Sequence, residues 1–170
     1  MVRKILTLSF LLVTAFGVAT QAQTFPSKPV RLIVPWPAGG GADFVARTYG
    51  KELSELWKQP VLVENISGAG SSVGAERAAR AAPDGYTLMV TINGTVTSNR
   101  FLYKSLPYDP DRSFAPISLM VQSGQLILAS STVQATNLKE LVNEARRKPG
   151  SLAYASYGRG TQPHLLFELL

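Results

Sequence analysis

Val30-Arg31-Leu32-Ile33-Val34-Pro35-Trp36-Pro37-Ala38-Gly39-Gly40-Gly41-Ala42-Asp43 is the stretch that decides the fold. Its first five residues form an almost uninterrupted apolar run, the pattern of a strand covered on both faces. Pro35 and Pro37 end the strand, because proline offers no N–H to a ladder. The glycines turn the chain, and Asp43 opens a helix whose apolar positions Val45, Tyr49, Leu53 and Leu56 keep helical spacing. The same alternation continues downstream. Val61 to Val63 is the next strand, Gly68-Ala69-Gly70 a turn, and Val73 to Ala82 a helix of small residues. Pro83-Asp84-Gly85 is a further turn, and Tyr86 to Ile92 a third strand. A β-α-β-α-β order predicts an α/β fold with a parallel sheet. In such sheets the binding loops lie beyond the carboxyl ends of the strands. That places residues 36–43, 65–72 and 93–97 along one edge.

Beyond Leu102 the pattern changes. Leu106 to Pro110 is proline-rich and predicts a loop. Ala115 to Met120, Gln125 to Ala129 and Leu152 to Ala155 predict strands, and Leu138 to Lys148 an amphipathic helix stopped by Pro149-Gly150. Gly158-Arg159-Gly160 turns into a helix opening at Pro163. The chain ends inside an apolar helical run, Leu166 to Leu170, from which we expect a fragment of a longer protein.

At the other end, Arg3 and Lys4 precede an uncharged apolar stretch from Ile5 to Ala19, and small residues surround Ala22. This predicts a secretory signal peptide over residues 1–22, cut after Ala22, and export to the periplasm. The alternative is a membrane anchor, for which the stretch is short. The chain has no cysteine, which excludes a lipid-anchored lipoprotein, a disulfide and a thiolate metal site. With His164 as the sole histidine, no metal is expected. Without Arg3 and Lys4, 15 basic side chains face 11 acidic ones, a net charge of +4. The one basic cluster, Arg146-Arg147-Lys148, sits where cations suit the C-terminal end of a helix. No nucleic-acid partner is expected.

Two loops have the composition of an anion cradle. Gly39-Gly40-Gly41 brings backbone N–H groups and a helix N-terminus together; a tight turn with no ligand is the competing reading. It is no phosphate P-loop, since no Gly-Lys-Ser/Thr follows. Ser156-Tyr157-Gly158-Arg159-Gly160-Thr161 adds hydroxyls and a guanidinium, with His164 one helical turn on. Gly68, Gly70 and Gly74 imitate a dinucleotide fingerprint, but their spacing fits close helix–sheet packing better, and no cofactor is expected. No nucleophile–base–orienter set is visible.

The residues Pro35 to Asp43 with Ala46-Arg47 resemble the first loop of the Bug-type receptors of tripartite tricarboxylate transporters. Further matches follow in order: Pro60-Val61, Val63-Glu64-Asn65, Gly68-Ala69-Gly70, Gly74-Ala75-Glu76 and Ala81 to Leu88. Then come Leu102-Tyr103-Lys104, Leu106 to Pro110, Phe114 to Ile117, and Gly158, Gly160 and His164. The resemblance implies a periplasmic-binding-protein-like fold of type II, a two-lobed Venus flytrap. Residues 23–123 would supply the first lobe and 124–170 an incomplete second lobe. It implies a non-enzymatic receptor, monomeric at full length, that binds a small organic carboxylate and hands it to integral membrane subunits. The implied ligand-binding residues are Trp36, Ala38, Gly39, Gly40, Gly41 and Asp43 in the first loop, and Asn93, Gly94 and Thr95 in a middle region. Ser156, Gly158, Arg159, Gly160, Thr161 and His164 would face them. Trp36, Asn65-Ile66-Ser67, Arg159 and Thr161-Gln162-Pro163 depart from the family pattern. An exported enzyme using Asp43 with His164, and a periplasmic sensor for a membrane kinase, are the rival readings.

Overall fold

The computed structural model describes residues 24–170. The expected signal peptide falls outside the described residues. Three parallel strands form the sheet, in the order β2-β1-β3: β1 is Val30–Val34, β2 Val61–Asn65 and β3 Thr87–Met89. The first strand of the sequence takes the centre because its side chains tolerate burial on both faces. Val30, Leu32, Ile33 and Val34 are all buried. Arg31 is the exception. It reaches diagonally across to β2 and meets Glu64 with two hydrogen bonds of 2.8 and 2.6 Å.

Six α-helices accompany the sheet among the described residues. They are α1 (Gly41–Trp57), α2 (Ser72–Ala79), α3 (Asn93–Val96), α4 (Asn99–Leu102), α5 (Leu138–Arg147) and α6 (Gln162–Leu169). The face that α1 turns inward differs from the expected one. Asp43, Ala46 and Gly50 are buried, while Tyr49 and Leu56 are exposed. Small residues let the helix lie close to the sheet. A Cβ on Gly50 would already touch Val63 Cγ2 at 3.4 Å and Val61 Cγ1 at 3.5 Å. Leu32, Val34, Ala46 and Val90 form the core, with Trp36, Val61, Val63, Leu88 and Met120 packed around it. The short helix α2 stands equally close, Gly74 lying against Pro35 and the Ile66 carbonyl.

Other bounds shift too. β3 is three residues long rather than the expected Tyr86 to Ile92, and α2 stops at Ala79. Residues 115–120, 125–129 and 152–155 are not strands. A strand exists only when its N–H and C=O groups meet a partner, and no other strand lies beside these segments among the described residues. Ile117, Leu119, Leu126 and Leu128 stay in solvent, while Met120 packs against the core. α5 forms as expected. Asn137 caps it by accepting from the Glu140 N–H at 3.0 Å, and Arg146 and Arg147 occupy its last turn.

Close helix–sheet packing makes Gly74 a sensitive position. A Cβ there would stand 2.5 Å from Ile66 O and 2.7 Å from Pro35 Cα, whereas Gly124 has open space. Gly74→Ala is expected to destabilise by about 1–3 kcal/mol, and Gly124→Ala by no more than about 0.5 kcal/mol. Urea unfolding followed by circular dichroism measures both; equal midpoints would refute this packing.

Candidate functional site: the loop edge of the parallel sheet

Three loops leave the carboxyl ends of the strands on one side of the sheet, and a fourth, from the C-terminal part of the chain, docks beside them. The first joins β1 to α1. Gly39 takes φ +82°, a conformation glycine adopts at little cost. Its N–H donates to Asp43 Oδ2 at 2.8 Å. Arg47, one helical turn further on, donates from Nε to the same oxygen at 3.1 Å. Asp43 Oδ1 lies 3.0 Å from that nitrogen in ion-pair contact, without a hydrogen bond of its own. Arg47 Nη2 also donates to Asn65 Oδ1 at 3.0 Å, and Asn65 Nδ2 donates to the Trp36 carbonyl at 3.1 Å. The chain of contacts therefore runs from Gly39 through Asp43, Arg47 and Asn65 back to Trp36.

Further donors remain open. Gly40 is the extended N-cap of α1, and no side chain caps the helix. The N–H groups of Gly40, Gly41 and Ala42 meet no acceptor among the described residues. They are orphan donors at the positive end of a 17-residue helix. Ala38 and the three glycines are exposed.

The middle region is built differently. Thr95 is fully buried, and its hydroxyl lies 2.6 Å from both Ser71 Oγ and Thr91 Oγ1. Its carbonyl accepts from Tyr108 OH at 2.7 Å. Asn99, also buried, donates to the Gly70 carbonyl at 2.9 Å. These bonds tie the β2–α2 loop to α3 and α4. Of the expected residues here, Asn93 alone is exposed, and Gly94 packs beneath the Gly160 carbonyl.

The second glycine loop closes onto that platform. Gly160 takes φ +81°, and Ser98 Oγ donates to its carbonyl at 3.2 Å. The Gly160 N–H donates to His164 Nδ1 at 3.4 Å, and Thr161 Oγ1 donates to the Gly158 carbonyl at 2.6 Å. His164 and Thr161 thus hold the loop's own backbone. Ser156, Gly158 and Arg159 are exposed, and the Arg159 guanidinium has no ion-pair partner among the described residues. Tyr157 meets Trp36 edge to face, ring centroids 6.4 Å apart. The two glycine loops singled out in the sequence are therefore neighbours in space. Arg47, Asn65, Ser71 and Tyr157 were not among the expected ligand-binding residues, although 65–72 was placed on this edge and Tyr157 in the second glycine loop. For Arg47, its i, i+4 spacing from Asp43 was an available signal.

The profile described as "Tripartite tricarboxylate transporter family receptor" matches residues 45–170. The chain belongs to this family. The BugT protein of Bordetella pertussis is 32% identical over 161 residues, covering 94% of this chain and 49% of that protein. A solved structure of a Rhodopseudomonas palustris protein with adipate superposes with a TM-score of 0.74 at 29% identity, over 85% of this chain and 48% of its own. MatC from the same organism, with bound malate, gives a TM-score of 0.54 at 42% identity, over 56% and 33%. The fold is that of the periplasmic binding proteins, of the Bug type. The chain spans about half the length of the curated relatives it matches. No helix among the described residues is long and apolar enough to cross a membrane.

The hydrogen bond from Arg47, with that from Gly39, lowers the Asp43 carboxyl from 3.8 to about 2. A depressed carboxyl contributes stability that is fully present above its unfolded value and is lost as pH falls through the folded one. The loop should therefore be undisturbed from pH 8 down to pH 4 and loosen between 3.8 and about 2. Carbon-13 NMR of the Asp43 carboxyl, assigned with Asp43→Asn, would show a flat shift above pH 4. A midpoint near 4 would contradict the network.

Proposed function

We propose that this chain forms the ligand-gripping part of a periplasmic receptor that captures a small organic carboxylate and delivers it to the integral subunits of a tripartite transporter. The reading rests on one observation: Gly40, Gly41 and Ala42 present unpaired N–H donors at the start of α1, in a loop whose shape is fixed from behind. Main-chain donors at a helix N-terminus suit a carboxylate, and they need no counter-charge. Arg159, exposed on the neighbouring glycine loop, adds a charge-assisted donor. Among the solved structures that this chain resembles are one with malate and one with adipate, which favours a carboxylate of that size class.

The proposed ligand contacts are Trp36, Ala38, Gly40, Gly41, Ala42 through its N–H, Asn93, Ser156, Gly158 and Arg159. Gly39, Asp43, Gly94, Thr95, Gly160, Thr161 and His164 support them from beneath. Residues 23–123 and 124–170 belong to the two lobes of the receptor, which closes on its ligand and acts as a monomer. In this reading no chemistry is done on the ligand: Asp43 accepts from Gly39 and Arg47 and is not paired with His164, whose Nδ1 accepts from the Gly160 N–H.

Gly40 allows a clean test. Its φ of −82° suits any residue, and a Cβ would lie 3.5 Å from Pro37 O, an ordinary contact. Gly40→Val should therefore fold normally yet abolish adipate and malate binding by occupying the cradle. Arg159→Ala should weaken binding by roughly 10- to 100-fold, the loss of a charged hydrogen bond of about 1.5–3 kcal/mol. Calorimetry on protein checked by circular dichroism reads both. Normal binding by Gly40→Val with total loss in Arg159→Ala would make the guanidinium, and not the backbone, the grip.

A further inference from the structure

We infer that Asp43, Arg47 and Asn65 form a positioning latch that sets the direction of the cradle's N–H groups, and that the Asp43 carboxylate does not touch the ligand. The inference rests on the carboxylate-receptor reading above and assigns roles within the same loop edge.

The geometry carries it. An exposed carboxylate beside an anion would repel it, yet Asp43 sits within the β1–α1 loop. The structure resolves this by turning the side chain inward: it is 6% exposed, with Oδ2 accepting from Gly39 and Arg47. This takes the Gly39 N–H out of the donor set, while those of Gly40, Gly41 and Ala42 stay open. Arg47 is the hinge-pin of the arrangement. Its Nε faces Asp43 on its own helix, and its Nη2 reaches Asn65 at the end of the neighbouring strand β2. Asn65 in turn holds the Trp36 carbonyl. The loop is thereby pinned at two points, Trp36 and Gly39, one on each side of Pro37-Ala38. Few rotatable bonds remain between the pins, so little ordering is left for a ligand to impose.

The latch has a signature that a direct contact lacks. If Asp43 faced the anion, removing its charge would strengthen binding. If it positions the loop, Asp43→Asn weakens it. Asn65→Asp separates the two pins, since an aspartate still accepts from Arg47 but cannot donate to the Trp36 carbonyl. Adipate and malate are the probes, titrated into the protein by calorimetry. A Trp57→Phe background leaves Trp36 as the sole tryptophan reporter.

We expect Asp43→Asn and Asn65→Asp each to lower affinity by about tenfold, with Arg47→Lys intermediate because one ammonium cannot serve both partners in the same fork geometry. Asn65→Asp should also shift Trp36 emission while melting stays unchanged. Tighter binding by Asp43→Asn would overturn the inference by placing the carboxylate against the ligand. Lower melting with unchanged affinity in the folded protein would overturn it as well, leaving the network a purely structural one. Failure of the parent chain to bind either acid would sink the carboxylate reading and the inference with it. Normal parent binding with indifferent variants would sink the inference alone.

Discussion

A single ionised carboxylate organises the loop edge of this protein. Asp43 accepts the Gly39 N–H and the Arg47 guanidinium, and through Arg47 it is linked to Asn65 and the Trp36 carbonyl. Each partner comes from a different piece of the fold: the β1–α1 loop, the body of α1 and the end of β2. Loss of that charge would free Gly39 and leave a guanidinium without its acid. The lowered pKa reports how strongly these donors favour the ionised form.

The sheet explains why the carboxylate is placed there. β1 is buried on both faces and occupies the centre, so its carboxyl end emerges between two neighbours. The glycine loop leaves from that end and delivers the chain to α1, which Ala46 and Gly50 allow to lie against β1 and β2. Close approach brings Arg47 within reach of Asn65. On the other side, Thr95, Ser71 and Asn99 knit α3, α4 and the β2–α2 loop into a platform that receives Gly160. The result is a pair of glycine loops side by side, joined by the Trp36–Tyr157 contact.

Much of this was visible in the residues. The apolar run Val30 to Val34 announced the central strand, and Pro35 with the three glycines announced the loop. Two things were not visible. The inward face of α1 was misjudged because hydrophobic spacing weighs Tyr49 and Leu56 above Ala46 and Gly50, whereas close packing on a sheet selects small residues. The stretches 115–120, 125–129 and 152–155 have strand composition but form no ladder, because composition says nothing of the partner a strand must find. Within the site, the family resemblance implied ligand contacts at Asp43, Thr95, Thr161 and His164. Their bonds are to the protein's own loops, and the open donors belong to backbone that every residue type except proline supplies.

The central claim is that a carboxylate is held by main-chain N–H groups that the Asp43 network leaves free. Nitrogen-15 NMR with adipate and with malate tests it amide by amide. The account predicts large ligand-induced shifts at Gly40, Gly41 and Ala42, with the Gly39 amide nearly unmoved because Asp43 already holds it. A large shift at Gly39 with little change at the three that follow would contradict it.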